Sequence, residues 1–490
     1  MSGRNDALSR AKGAAMRLIA CEPKDALRRW LFGGALAVLL CGLVGLLNLS
    51  AGALGNLNDI GGWQNRLIFL VMAAGVQGLL LLLVTAMHRG SYARLALREL
   101  IMTAGFYIQL LAINQKTYAF VEVMLPMIRA MDAGGLAAIG DLSTNLSSPA
   151  LTLLYAVTRG PVYDMYMVKL LCILALCALA VLAMVWADRQ HTGIRAEVLL
   201  SLCLILPQGF MSASCAAQLD VVCVALLAAS LTCATAERPR AVAAAVLYGL
   251  ACAMSGFALY ALPAWALLMK QKKAVRPAHL ALAALVSVAC CLPAALCGQG
   301  MGGALASLLR ANLGIPEYAS GSPNLVSMFP RYAMEEMPEA FILGRLPNID
   351  AETNFSPYYT QEGFEAIMCG MALACLALYG MAAAFLSGRK GMSGTARALA
   401  LSLAACLLCP GATAGAWLLP CAIGLLAIVT EPRLRLPVCM LLFATAGAAA
   451  YPVTGEILLP MVAALALCLL ALFDLLGMFD GLREGGLRRE

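Results

Sequence analysis

The stretch YDMYMVKLLCILALCALAVLAMVWA, residues 163–187, decides the fold class. From Leu170 to Ala187 it contains no charged side chain. A helix of this length rises about 1.5 Å per residue, enough to cross the hydrocarbon core of a bilayer, which is about 30 Å thick. In hydrocarbon only helices and closed barrels satisfy their own backbone hydrogen bonds, so the stretch predicts a transmembrane helix.

The composition of the whole chain agrees with that stretch. The 490 residues are 62% hydrophobic and 12% charged, and the mean hydropathy is +0.84. Soluble domains are about 45–50% apolar and about 25% charged, so this chain has too little polar surface to cover a water-soluble globule. This composition also excludes nucleic-acid binding as the main activity. We predict an all-α, polytopic integral membrane protein.

Similar apolar runs recur along the chain and predict up to fourteen spans. They lie at residues 31–50, 66–86, 98–113, 163–187, 197–211, 214–235, 239–254, 256–270, 277–297, 365–387, 396–410, 412–430, 434–450 and 455–476. Several are shorter than the roughly 20 residues of an upright transmembrane helix, so we expect about 12–14 helices. The short pairs at 239–270 and 396–430 fit either full spans or hairpins.

Basic residues predict the orientation, because cytoplasmic loops of membrane proteins are enriched in Lys and Arg. With the N-terminus inside, 26 of the 34 basic residues fall on inward segments. The other eight are Arg66, Lys116, Arg129, Arg159, Lys169, Arg310, Arg331 and Arg345. We therefore predict a multi-pass protein of the cell (inner or plasma) membrane with both termini in the cytoplasm.

These predictions divide the chain into six parts. They are a basic cytoplasmic tail (1–30), two N-terminal transmembrane helices (31–97), a transmembrane core (98–297) with a first outer loop (114–162), a second extracytoplasmic loop (298–365), C-terminal transmembrane helices (366–476) and a cytoplasmic tail (477–490). Only the two outer loops are long enough to hold a site, so we expect function where they meet the membrane.

Ionisable residues are scarce inside the predicted spans, and this scarcity disfavours an ion-coupled transporter, which generally needs buried charges along its path. Asp220, two residues after Gln218, is the clearest exception. The three histidines are scattered singly along the chain, so no metal site is predicted.

A series of short motifs between residues 98 and 330 resembles the GT-C-type membrane glycosyltransferases, and is nearest in pattern to mannosyltransferase-like bacterial members. The motifs are Gly134-Gly135, Asn145, Pro149, Leu153-Leu154-Tyr155 and Lys169-Leu170, then Pro207 to Asp220, Tyr248 to Pro263, and Ala319 to Leu325. The resemblance implies a GT-C-like fold and transfer of a sugar, expected to be mannose, from a polyprenyl-phosphate donor. The acceptor would be a glycan, lipid or protein outside the cytoplasm.

The resemblance also implies a catalytic base, for which the chain departs from the family. Where the family usually has an Asp in the first outer loop, this sequence has the run Asn114 to Tyr118. Glu122 and Asp141, in the same loop, are therefore the candidate catalytic carboxylates, since a general base must take the proton of the acceptor hydroxyl.

Basic and amide side chains complete the candidate site. Four cations, Lys116, Arg159, Arg310 and Arg331, are candidate contacts of the donor phosphate. Asn145, Gln218, Asp220 and Asn324 are expected from the motifs to line the site. The sequence identifies no cofactor with certainty beyond the lipid-linked sugar donor, and a need for a divalent metal stays open. The alternatives are a transporter or lipid-sugar flippase, and a GT-C relative that has lost catalysis.

Overall fold

A computed structural model describes most of the transmembrane part of the chain. The described residues are 26–49, 63–88, 90–117, 119–140, 142, 146–160, 164–189, 195–234, 236, 240–271, 276–313, 323–325, 361–389, 392–409, 412, 414–448 and 458–477.

Every regular element in these ranges is a helix. In chain order they are α1 (Ala26–Leu49), α2 (Trp63–Met87), α3 (Tyr92–Leu111), α4 (Leu125–Gly134), α5 (Ser148–Thr158), α6 (Asp164–Arg189), α7 (Arg195–Ile205), α8 (Pro207–Phe210), α9 (Asp220–Ala234), α10 (Ala241–Met254), α11 (Phe257–Tyr260), α12 (Leu262–Gln271), α13 (Pro277–Ala289), α14 (Leu292–Ala294), α15 (Gly300–Leu313), α16 (Gln361–Gly388), α17 (Gly394–Leu408), α18 (Leu418–Thr430), α19 (Arg435–Ala448) and α20 (Leu458–Leu475). Short π-helical segments lie at Ala119–Met124, Met211–Cys215 and Ala295–Gln299, and 3₁₀ turns at Gly135–Gly140, Ala414–Trp417 and Pro432–Leu434.

The helix lengths confirm an all-α polytopic membrane protein. Five helical stretches in the described part are long and apolar enough to cross a membrane: Ala26–Asn48, Gln64–Met87, Asp164–Arg189, Pro277–Leu309 and Cys369–Gly388. A bent pair, Ala196–Ile205 with Pro207–Cys215, makes a sixth if it is one span. Seven further apolar helices have only 10–17 residues. Since about 20 residues are needed to cross upright, the total of 12–14 spans stays a prediction.

Two helices, α6 and α17, form the centre of the bundle. α6 packs against α2, α3, α5, α7, α9 and α18, and α17 against α12, α16, α18 and α20. Both are rich in Leu, Ala and Cys and are buried around most of their circumference. A helix that is apolar all round belongs either in a core or in lipid, and these two are in the core. α1 and α16, by contrast, leave most of their apolar surface exposed.

Hydrogen bonds between helices lie at both ends of the bundle. Near one end of the bundle Trp186 donates to Thr232 over 2.8 Å and Ser393 to Glu431. At the other end Gln208 donates to the Ala414 carbonyl. We call the first the inner end and the second the outer end, following the predicted orientation.

Small residues allow a close contact between α10 and α13. A Cβ at Gly249 would lie only 2.4 Å from the backbone oxygen of Ala283. Ser287 then donates to the Gly249 carbonyl over 2.8 Å. Small residues with a cross-helix hydroxyl bond are a common way for helices to associate in lipid, where no hydrophobic force pulls them together.

Gly249→Ala should therefore push α13 away from α10 and reduce the unfolding free energy by about 1–3 kcal/mol. Thermal unfolding of the purified protein in detergent measures the change. Gly370→Ala in α16 is the matched control, because nothing lies within 4 Å of the added methyl. Equal melting temperatures for both variants would contradict the close contact.

Candidate functional site

A broken helix forms the centre of the outer end. α7 ends at Ile205, and the segment Pro207–Cys215, which begins with α8, lies at an angle of 48° to it. Proline has no backbone N–H to continue the α7 hydrogen-bond pattern, so it fits at the first position of a new helix. The chain then makes a π turn and leaves helical conformation until Asp220 begins α9, with Ala217 at a φ of 56°. A positive φ outside glycine is uncommon and marks a backbone held by its surroundings.

Gln218 and Asp220 lie on this non-helical segment and contact Gly415 in the connection between α17 and α18. A Cβ at position 415 would lie 2.7 Å from Asp220 Cβ and 3.2 Å from Gln218 Oε1. Gln218 Oε1 is buried and finds no hydrogen-bond partner among the described residues. Because a buried amide oxygen is normally satisfied, this atom is available to a ligand or a water molecule.

Two other polar side chains tie the broken helix to its neighbours. The Gln208 amide donates to the Ala414 carbonyl, and also to Ser212 Oγ over 3.3 Å. On the side facing α3, Ser214 donates to Gln109, which itself donates to the Leu204 carbonyl over 2.7 Å. The segment is therefore held from both sides by side-chain hydrogen bonds.

Asn324 comes from the second outer loop and reaches the same α17–α18 connection. Its buried amide donates to the carbonyl oxygens of Cys406 and Cys409, each over 2.7 Å. The last carbonyls of a helix have no partner within the helix, so Asn324 serves as a side-chain cap for α17. Its described contacts show that it holds the end of α17 in place.

Lys169 binds carbonyl oxygens in the segment that follows α3. Its buried ammonium donates to the carbonyls of Ile113, over 3.0 Å, and Gln115, over 2.5 Å. One turn earlier, Tyr166 donates to Asn114 Oδ1 over 2.7 Å. The sequence predicts Lys169 to be one of the outward cations. In the structure its side chain is buried and holds the backbone at the start of the first outer loop. Lys116, in contrast, is exposed.

The first outer loop contacts the π-helical segment Ala295–Gln299, near the predicted start of the second outer loop. Ser148, at the start of α5, donates to Gln299 Oε1 over 2.7 Å, and the 3₁₀ turn ending at Gly140 packs against the same π segment. Ser147 caps α5 and donates to the Ala253 carbonyl. The first outer loop therefore lies beside the helical stretch Pro277–Leu309 near Gln299.

The remaining candidates are only partly described. Arg159 is exposed, lies 3.4 Å from Asp132 and stacks over the Tyr155 ring at 4.6 Å, so it is accessible to an anion. The backbone of Glu122 is in the π-helical segment Ala119–Met124, and that of Arg310 is in α15, but their side chains lie outside the described part. Asp141, Asn145 and Arg331 lie outside the described residues altogether.

The described outer end thus brings together three of the motif residues. All three contact the α17–α18 connection, although Asn324 lies more than a hundred residues after Gln218 and Asp220 in the sequence. Lys116 and Arg159 belong to the first outer loop, and both are exposed. In the described part no three His, Cys, Asp or Glu side chains are arranged to hold a metal ion.

Sequence reasoning missed a buried ionic cluster at the inner end. Arg98, fully buried on α3, forms a two-pronged ion pair with Asp188 at 2.7 and 2.8 Å. Its Nε also donates to Glu197 over 2.7 Å. Hydropathy placed the start of a span at Arg98, whereas α3 begins one and a half turns earlier at Tyr92. The only sequence signal was the clustering of opposite charges at the ends of three successive spans.

His88 completes the cluster in its neutral form. Arg98, which can only donate, lies 3.2 Å from His88 Nδ1, and Nε2 lies 3.1 Å from the Ser91 carbonyl. These contacts select the tautomer with the proton on Nε2. Burial, and secondly the charge of Arg98, lower the pKa of His88 below its usual value.

Replacing Arg98 by Met should destabilise the protein by about 3–5 kcal/mol, because the buried Glu197 and the partly buried Asp188 would be left as uncompensated charges. Arg94→Met is the matched control, since Arg94 is exposed one turn away on the same helix. Thermal unfolding in detergent measures both, and a similar small effect of the two substitutions would contradict the structural role of the cluster.

The His88 environment also predicts a pH dependence. Above about pH 6.5 the side chain is neutral in the folded and unfolded states; below it the unfolded state takes up a proton that the folded state resists. Stability should therefore fall as the pH is lowered from about 7.5 to about 5.5. His88→Gln should show a smaller fall over this interval, and an identical fall in both proteins would refute the assignment.

Comparisons with models of protein families, with curated proteins and with solved structures return no match to this chain.

Proposed function

We propose that the protein is a membrane glycosyltransferase of the inner or plasma membrane that acts at its outer face, with both termini in the cytoplasm. It would transfer a sugar, with mannose the first to test, from a polyprenyl-phosphate donor to a glycan, lipid or protein acceptor. The observation that carries the proposal is that Gln218 and Asp220, beside Gly415, and Asn324, at the end of α17, all contact the α17–α18 connection. These are motif residues of the GT-C resemblance.

The position of this group suits a lipid-linked donor. An outward site has no access to cytoplasmic nucleotide sugars, so the sugar must arrive on a lipid through the membrane plane. The unpartnered Gln218 Oε1 and the Asp220 carboxylate can accept hydrogen bonds from sugar hydroxyls. Exposed cations of the first outer loop, Lys116 and Arg159, would contact the leaving phosphate.

The proton of the acceptor hydroxyl needs a general base, which contributes about 10²–10⁴-fold to such reactions. Glu122 and Asp141 are the proposed bases because both belong to the loop that passes over the outer end. The contact of Ser148 with Gln299 supports one site shared by the two outer loops. Arg310 and Arg331, in the second loop, would then approach the same phosphate.

A transporter or lipid-sugar flippase is the second candidate, and one observation favours it. Arg98, Glu99 and Lys169 are fully buried within the helical bundle, so charge inside the bundle is less scarce than hydropathy indicates. Buried ionisable groups often mark ion or substrate pathways. Arg98 and Lys169 are, however, engaged in local contacts that hold helix ends together.

Incubating the purified protein with radiolabelled polyprenyl-phosphate sugars and cell-envelope acceptors tests the enzyme. Transfer should release polyprenyl phosphate. Asp220→Asn should reduce kcat/KM about tenfold or more, because a charge-assisted hydrogen bond to the sugar is lost. Glu122→Gln and Asp141→Asn, made separately, should identify the base through a loss of about 10²–10⁴-fold in kcat.

Glu431→Gln is the matched control, because Glu431 lies at the inner end beside Ser393 and Arg433. Normal rates in Asp220→Asn would remove that residue from the site. No transfer from any donor would overturn the enzyme proposal in favour of an inactive relative, whereas donor-independent movement of a sugar lipid across proteoliposomes would establish the flippase.

A further inference from the structure

Glu99 is a buried carboxyl that the proposed transfer reaction does not use. It follows Arg98 on α3 and, like Arg98, is fully buried. Successive residues of a helix are about 100° apart, so the two side chains point to different neighbours. Arg98 contacts Asp188 and Glu197. Glu99 faces α1 and α2 and has no ion pair among the described residues.

The hydrogen bonds around Thr85 indicate the protonation state of Glu99. Thr85 Oγ1 lies 2.8 Å from Glu99 Oε1 and 3.0 Å from the Leu81 carbonyl oxygen. A hydroxyl has one hydrogen, while a carboxylate and a carbonyl can only accept. If Glu99 were ionised, one of the two contacts would lack a hydrogen. A protonated Glu99 donates to Thr85, which then donates to Leu81, and both contacts are satisfied.

The second carboxyl oxygen leads to the same assignment. Glu99 Oε2 is buried and has no hydrogen-bond partner in the described part of the chain. An unpartnered oxygen costs far less on a neutral acid than on an anion, because an isolated buried charge loses its hydration without compensation.

Helix α1 packs directly against Thr85 and Glu99 at Gly33. A Cβ on Gly33 would lie 2.4 Å from Thr85 Oγ1 and 3.0 Å from Glu99 Oε1, so only glycine allows so close an approach. The carboxyl is thus enclosed by three helices, two of which precede the region that resembles the glycosyltransferases.

We propose that Glu99 is a proton-binding site, held as a neutral carboxylic acid at neutral pH and enclosed by α1, α2 and α3. Loss of this proton would leave an unpaired negative charge beneath α1, so protonation is linked to the packing of α1 on its neighbours. The charged and titratable groups around it on the packed elements are Cys41 and Arg29 on α1, His88 after α2, Arg98 on α3, Asp188 on α6 and Glu197 on α7.

Infrared difference spectroscopy of the full-length protein in lipid nanodiscs tests the proposal. In sodium-free buffer near neutral pH, the wild-type spectrum minus that of Glu99→Gln should contain the C=O stretching band of a protonated carboxylic acid. That band should convert to carboxylate bands as the pH rises. A difference spectrum with carboxylate bands alone would overturn the proposal. So would conversion of the acid band to carboxylate on addition of sodium at constant pH, which would identify a cation site instead.

A labelling experiment keeps the proposal testable if Glu99→Gln fails to fold. A hydrophobic carbodiimide reacts with protonated carboxyl groups from within the membrane. In the wild-type protein it should modify Glu99, located by mass spectrometry, with a rate that falls as the pH rises. Glu197 is the internal control, because it forms an ion pair with Arg98. Modification of Glu197 or Asp188 without Glu99 would contradict the assignment. Neither readout depends on sugar transfer, so the two proposals can fail separately.

Discussion

A polar group inside a bilayer has no water to bond, and this constraint governs the whole structure. The helices satisfy their own backbone groups except at the last turn, where carbonyl oxygens are left over. Here carbonyls in the last turn of a helix or just beyond it are taken by side chains from elsewhere in the chain. Lys169 binds the segment that follows α3, Asn324 binds the last turn of α17 and the residue after it, and Arg389 binds the carbonyl of Leu476 after α20. Donors at helix C-termini also match the negative end of the helix dipole.

These contacts do more than satisfy single atoms. Each joins a helix end to a distant segment, so the ends of the bundle are held in place while the middle is packed by Leu, Ala and Cys. At the outer end the result is a fixed framework around the broken helix between Leu206 and Asp220. At the inner end the Arg98 cluster joins α3, α6 and α7. Several buried polar atoms of the described part lack a hydrogen-bond partner, and two of them, Gln218 Oε1 and Glu99 Oε2, lie where we propose that a ligand and a proton bind.

The membrane class and most helices could be predicted from hydropathy, because burial in lipid requires long apolar runs whatever the partners are. An interruption between helices before Asp220 could also be predicted, since a proline and a Gln-x-Asp interrupt an apolar region. The Arg98 cluster could not. Its partners are 90 and 99 residues away along the chain, and hydropathy counts each charge as an obstacle to membrane insertion. Only when opposite charges meet do they become tolerable inside a bundle.

By itself the sequence determined that the chain is a helical membrane protein, since 62% hydrophobic residues admit no water-soluble fold. It also placed the candidate carboxylates Glu122, Asp141 and Asp220 on the predicted outer segments. Only the tertiary structure decided which polar residues are engaged and which are left over. Lys169 and Asn324 turned out to hold helix ends, while Gln218 kept an open acceptor. The reason is physical: hydropathy depends on each residue alone, whereas the satisfaction of a buried polar atom depends on a partner that folding brings from a distance.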